Sequence, residues 1–188
     1  MGDTVDDDAA LVQLCLSGDA GALRAFVERF QNLVFRLCLR MMGDQHDAED
    51  VTQETLLRAV RHLAHWDSAR PLRPWLLMIA ANRCRTALER RSRRPATAEN
   101  CDAWPADNRS TADLGEELQQ CIQELRPEYK ICVVLFYQQE LSVEEIAKTI
   151  NCPQGTVKTW LYRARKELTE RLKQRGVTDE EGHELHRF

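Results

Sequence analysis

The sequence predicts an all-α protein, two small helical domains joined by a flexible acidic linker. Three observations carry that prediction. Apolar residues recur every three or four positions through most of the 188 residues, the spacing that lines one face of a helix. No segment alternates as a half-buried strand would, and a composition with 30% charged residues, 8 Gly and 6 Pro is that of a helix-rich chain. Between Pro95 and Ala112 the periodicity stops, and Ala, Asp, Asn, Ser and Thr with Pro95 and Pro105 replace it, which is linker chemistry. The domains then run 1–94 and 113–176, around a 95–112 linker and ahead of an acidic 177–188 tail.

Taken in order, the start with Asp3, Asp6, Asp7 and Asp8 reads as a frayed acidic segment. Leu23, Phe26, Val27, Phe30, Leu33, Val34, Leu37 and Met41 then form one long amphipathic helix, which Gly43 ends. A second helix opens at Asp44 to Asp47 and runs through Ala48, Val51, Thr55, Ala59, Val60 and Leu63, its acidic first turn suiting the positive end of the helix dipole. Residues 65–73 lack a helical period and read as a loop. Pro74 fits the first position of a third helix, where its missing N–H has no acceptor to lose. That helix buries Trp75, Leu76, Ile79, Ala80, Ala87 and Leu88, leaves Asn82, Arg83, Arg85 and Arg90 outside, and ends in the run Arg90, Arg91, Ser92, Arg93, Arg94.

In the second domain, one helix carries Leu114, Leu118, Cys121, Ile122 and Leu125, and Pro127 begins another with Ile131, Val134 and Leu135. Ser142 and Glu145 have the spacing of a capping box, in which each side chain satisfies a backbone donor at a helix start. Ile146, Ala147 and Ile150 follow, and Asn151-Cys152-Pro153 breaks the helix, Asn tolerating the left-handed conformation of a tight turn. A last helix from Pro153 or Gln154 buries Val157, Leu161, Ala164, Leu168 and Leu172. Its outer face carries Lys158, Thr159, Tyr162, Arg163, Arg165 and Lys166. A helix, a short turn and a second helix with a basic outer face make a helix-turn-helix shaped for a major groove.

The formal charge of -4, taken whole, argues against a polyanionic partner. Its distribution reverses that conclusion. Net charge is -6 over residues 1–60, +7 over 61–94, -6 over 95–125, +4 over 126–176 and -3 over 177–188. A polyanion responds to the field within about 10 Å, so the two basic blocks are what it meets. The seven cysteines are odd in number, contain no CxxC and follow no secretory signal, which fits reduced thiols in a cytoplasmic protein. Cys38, Cys84, Cys121 and Cys132 fall in apolar helical patterns as small hydrophobes. His62, His65 and Cys84 lack a fourth zinc ligand. Neither a metal nor a cofactor is expected, no catalytic nucleophile–base pair is found, and no apolar run approaches the roughly 18 residues of a membrane span.

Two segments together resemble a known family. DAEDVTQETLLRAVRHL from Asp47 to Leu63, with PWLLMIAANRCRTALERRSRR from Pro74 to Arg94, resembles region 2 of the extracytoplasmic-function, or group IV, sigma factors of bacterial RNA polymerase. LSVEEIAKTINCPQGTVKTWLYRARKEL from Leu141 to Leu168 resembles their region 4. The resemblance spans nearly all of residues 9–175. It implies a region 2-like helical bundle and a region 4-like helix-turn-helix domain, without a region 3 domain between them.

The resemblance also implies partners. Asp47, Glu49, Asp50, Gln53 and Glu54 match the helix that docks on the clamp coiled coil of core RNA polymerase, with Asp47 serving equally well as a helix-start cap. Region 4 would meet the polymerase flap. Promoter DNA, melted at the minus-ten element, falls to Trp66, Arg73, Asn82, Arg83, Arg85, Arg90, Arg91, Arg93 and Arg94. Asn82 suits an unstacked base, and the arginines suit the single strand's phosphates. Trp75 reads as packing, whereas Trp66 serves either the core or the DNA. Duplex DNA at the minus-thirty-five element falls to Thr156, Lys158, Thr159, Tyr162, Arg163, Arg165 and Lys166.

Trp160 departs from the family, which often has arginine there. Its indole packs either on a sugar edge or against the preceding helix. The acidic linker is either a nucleic-acid mimic or a soluble tether, and the tail is either a disordered cap or a regulatory contact. Family members are commonly held by an anti-sigma factor. A stand-alone helix-turn-helix regulator would explain Ser142 to Arg175 but leave Asp47 to Arg94 without a role. A nuclease or recombinase accessory using Asp47 and Asp50 lacks a convergent third ligand.

Overall fold

The computed structural model describes residues 3–92 and 112–175, all strand-free, and the chain divides into two units, residues 1–98 and 99–188. The expected linker up to residue 111, the tail, Arg93 and Arg94 lie outside the described residues.

The first unit contains α1 (Asp3–Leu16), α2 (Ala20–Met42), α3 (Gln45–His62), a 3-10 turn (Leu63–His65) and α4 (Leu72–Ser92). The acidic start is not frayed but is the first turns of α1. Arg29 of α2 pairs with Asp7 and, at 2.9 Å, with Asp8, while Val12 and Cys15 are buried on the side that packs on α2. The acidic sequence therefore has a basic partner across a helix pair, which an isolated reading of charge misses. Gly18, at φ 85°, turns the chain, and the Asp19 carboxylate accepts from Ala22 N–H to cap α2.

In α2, Phe26, Phe30, Val34, Leu37 and Met41 are buried at four-, four-, three- and four-residue steps. Gly43 takes the left-handed conformation (φ 72°) that ends the helix with its N–H on Leu39 C=O. Asp44 caps α3 by accepting from Asp47 N–H at 2.8 Å. Thr52 and Thr55 are buried in α3, and each hydroxyl donates to the carbonyl four residues earlier, which removes the cost of an unpaired polar group. The third helix starts at Leu72 rather than Pro74, so Pro74 occupies the third position. The first turn has no intrahelical acceptors, so proline is tolerated there as it would be at the first position. Leu72, Leu76, Leu77, Ala80 and Cys84 are fully buried because α4 packs on both α2 and α3.

The second unit contains α5 (Ala112–Gln123), α6 (Pro127–Val133), a π turn (Val134–Gln138), α7 (Val143–Thr149) and α8 (Gln154–Gln174). Ile122, Leu125, Tyr129, Val133 and Ala164 form one cluster, with Leu118, Tyr137, Trp160 and Leu168 packed against it. The π turn, and Glu140 at φ 57° after it, were not foreseen from sequence. Ser142 and Glu145 form the reciprocal capping box. Asn151 adopts φ 52° in the turn, and small Ala147 is buried on α7, which packs against α8.

Candidate nucleic-acid interface

The two blocks of opposite charge in the first unit face each other. Glu54 on α3 pairs with Arg83 on α4, and Asp47 pairs with Arg91 at 3.0 Å. The sequence assigns the carboxylates to one partner and the arginines to another; in the folded chain they first engage one another. Such exposed pairs are worth about 0–1 kcal/mol, so a stronger partner can compete for either side. Asp50, Gln53 and Glu49 remain exposed on α3, with Glu49 accepting from Gln45 at 2.9 Å. Leu57, 60% exposed and one turn beyond Gln53 and Glu54, adds an apolar centre to this acidic face that the sequence reading missed. Its signal was the three- and four-residue spacing from Glu54 and Gln53, hidden because Leu56 beside it is buried.

On α4, Asn82 is half-buried, and its side-chain oxygen accepts from Arg85 at 3.1 Å, leaving its amide donor to point elsewhere. Arg73, Arg85 and Arg90 are exposed, whereas Arg83 is 22% exposed beside Glu54. Of the two readings of Trp66, the free chain takes the core. The structure puts this indole in the core at 9% exposure, with its Nε1 meeting no acceptor, so it offers no stacking surface in the free chain. The residues after it form the exposed loop, and a bulky aromatic at the loop's edge gains more from burial than from water.

The outer face of α8 is different. Lys158, Thr159, Arg163, Arg165 and Lys166 are exposed, Tyr162 is 65% exposed and Thr156 is half-buried at the helix start. Lys158, Arg163 and Arg165 have no carboxylate partner among the described residues, and Lys166 lies 4.0 Å from Glu170. The Thr159 hydroxyl donates to Gly155 C=O at 2.8 Å and keeps its lone pairs outward. Pro153 precedes α8 without a side-chain cap, and its carbonyl takes the Thr156 N–H at 2.9 Å, which leaves the Thr156 hydroxyl as that residue's group for a phosphate.

Trp160 settles on packing against the hydrophobic cluster. The basic block also divides. Arg171 bonds to Glu124 and to Glu167, the latter at 2.6 Å. Arg175 bonds to Glu117 and Gln120, both at 2.8 Å, and to Glu124. Two of the seven carboxylates counted into the acidic 95–125 stretch, Glu117 on α5 and Glu124 just after it, therefore tie this end of the unit to α8, in place of a linker role. The reactive-looking set His62, His65 and Cys84 does not converge: the two imidazoles lie 5.5 Å apart, whereas Cys84 is buried against Cys38.

Comparison with known proteins decides what these faces belong to. Residues 26–94 match the Sigma-70 region 2 model and residues 115–168 the Sigma-70 region 4 model. The ECF RNA polymerase sigma factor SigW of Bacillus subtilis is 32% identical over 174 residues, covering 83% of this chain and 91% of the relative. The chain belongs to the extracytoplasmic-function sigma factors of the sigma-70 family. The RNA polymerase sigma-H factor of Pseudomonas aeruginosa is 30% identical over 184 residues, covering 90% of the chain and 95% of the relative.

Among solved structures, this sigma factor shares its fold with RpoE of Bartonella quintana, solved in complex with the anti-sigma factor NepR. That match has a TM-score of 0.66 at 19% identity, over 80% of this chain and 96% of the other. CnrH, solved with the cytosolic domain of CnrY, matches at 0.65 and 24% identity, over 88% and 96%. As a sigma factor the protein is a transcription initiation factor that binds core RNA polymerase and directs it to promoters. Among the described residues no helix is long and apolar enough to cross a membrane.

Proposed function

We propose that the two units read separate promoter elements. The outer face of α8, through Lys158, Thr159, Tyr162, Arg163, Arg165 and Lys166 with Thr156 at its start, enters the major groove of the minus-thirty-five element. Asn82 captures an unstacked base of the minus-ten element, and Arg73, Arg83, Arg85, Arg90, Arg91 and the neighbouring Arg93 and Arg94 hold the strand's phosphates. On α3, Asp47, Glu49, Asp50, Gln53 and Glu54 dock on the basic clamp coiled coil of the polymerase, around Leu57. An interface with an apolar centre and a polar rim is the arrangement that excludes water from its contacts.

The observation that supports this division is a contrast: Lys158, Arg163 and Arg165 on α8 have no carboxylate partner among the described residues, whereas Arg83 and Arg91 on α4 are paired. Duplex phosphates find the first face ready, whereas the second is released as α3 engages the polymerase. The protein performs no chemistry of its own, works in the cytoplasm and has an anti-sigma factor as its inhibitor, in keeping with the RpoE structure solved in complex with an anti-sigma factor. Run-off transcription with purified core polymerase tests the proposal. Added protein is expected to confer initiation at a cognate promoter. Tight promoter binding by the isolated chain, with no specificity or initiation added to core, would instead mark a stand-alone regulator.

A further inference from the structure

A cysteine pair is buried where α2 packs on α4. Cys38 and Cys84 are both 0% exposed, and their sulfurs lie 3.8 Å apart, with the Cys84 thiol donating to Cys38 Sγ. The pair stands apart from the other cysteines among the described residues. Burial pushes the thiols of Cys15, Cys121 and Cys152 up and that of Cys132 up to about 12. Cys38 is held below the usual thiol range by the hydrogen bond from Cys84, against its burial. Cys84 is raised in turn, by that same bond and by burial. Of the two, Cys38 is the more readily ionised, and the thiolate is the form that reacts.

We infer that Cys38 and Cys84 form an oxidisable dithiol that a small hydroperoxide converts into an intramolecular disulfide. Cys38, as its thiolate, attacks one peroxide oxygen. The O–O bond breaks, hydroxide leaves and takes up the thiol's proton as water, and Cys38 becomes a sulfenic acid. Cys84 then loses its proton and attacks the Cys38 sulfur. The S–S bond forms, the S–O bond breaks, and a second water leaves. Two thiols and one hydrogen peroxide give one disulfide and two waters, with two electrons passing from sulfur to oxygen.

The sulfurs, 3.8 Å apart, must approach by about 1.8 Å to reach a bond of about 2.05 Å. Hydrogen peroxide is uncharged and close to water in size, so it reaches the pair through transient opening between α2 and α4, and burial makes the reaction slow. Disulfides in reducing compartments are typically transient and redox-sensing, and a slow, reversible link fits that use. Cys84 follows Asn82 and Arg83 directly, so the link ties the proposed promoter-melting helix to α2. That consequence rests on the proposed function; the thiol chemistry does not.

The test treats the reduced full chain with hydrogen peroxide, alkylates the remaining thiols under denaturing conditions and maps the linked peptides by mass spectrometry. The expected product is a Cys38–Cys84 link, two hydrogens lighter, reversed by dithiothreitol and accompanied by a higher melting temperature. Cys84→Ala should halt at a Cys38 sulfenic acid captured by a dimedone probe, and Cys152→Ala should leave the link intact. Wild-type chain in which both thiols stay alkylatable after peroxide, or in which either links to a different cysteine, overturns the inference whether or not the variants fold.

Discussion

The two units handle their basic residues in opposite ways. In the first, α4 lies against α3, and two of the arginines that would hold melted DNA meet carboxylates that would hold the polymerase, Arg83 with Glu54 and Arg91 with Asp47, while Arg85 bonds to Asn82. In the second, the carboxylates that bond the arginines of α8 gather at its far end, where Glu117, Glu124 and Glu167 occupy Arg171 and Arg175. Lys158, Arg163 and Arg165 nearer its start are left to solvent. A net positive block is therefore a poor measure of an anion-binding surface. What counts is which cations the fold leaves without an internal partner.

Four substitutions break or sharpen that contrast. Trp160→Ala removes a partly buried indole that packs on the second unit's cluster and should cost about 2 kcal/mol, below the range for a fully buried aromatic, read by urea unfolding. Weakened DNA binding at unchanged stability would return Trp160 to the DNA face. Next comes Arg163→Glu, which takes a free cation from α8. It should weaken minus-thirty-five protection by about 10-fold or more and lower the salt slope by about 0.9; unchanged footprints would place the groove-reading residues elsewhere.

Asn82→Ala should slow opening of a duplex promoter by about 10-fold, as loss of a hydrogen bond to a captured base would, while sparing a pre-melted template. Equal loss on both templates would remove base capture from Asn82. The smallest effect is expected for Glu54→Gln. Because the pair with Arg83 is partly exposed, the stability change should stay under about 1 kcal/mol, with core-polymerase affinity falling more than stability does. A large loss of stability would show that the pair holds α3 to α4 and is not available to a partner.

Much of the fold was legible because its signals are local. The α2 stripe, the Gly43 stop, the Asp44 cap, the Ser142–Glu145 box and the left-handed Asn151 each depend on a few neighbouring residues. The failures share a different cause. α1 looked frayed because Arg29, which neutralises Asp7 and Asp8, lies in another helix. Trp66 stayed open between core and DNA because its burial depends on helices it meets only after folding. The exposed Leu57 was masked by its buried neighbour Leu56.

By itself, then, the sequence determined the helical class, the helix-turn-helix and the residue types on each face, since periodicity, capping and turn chemistry act within a few residues along the chain. Family membership was equally readable from the order of the two motifs. Only the tertiary structure decided which charges pair, which indoles are core and that Cys38 meets Cys84, because each of those contacts joins residues far apart in sequence whose meeting depends on how whole helices pack.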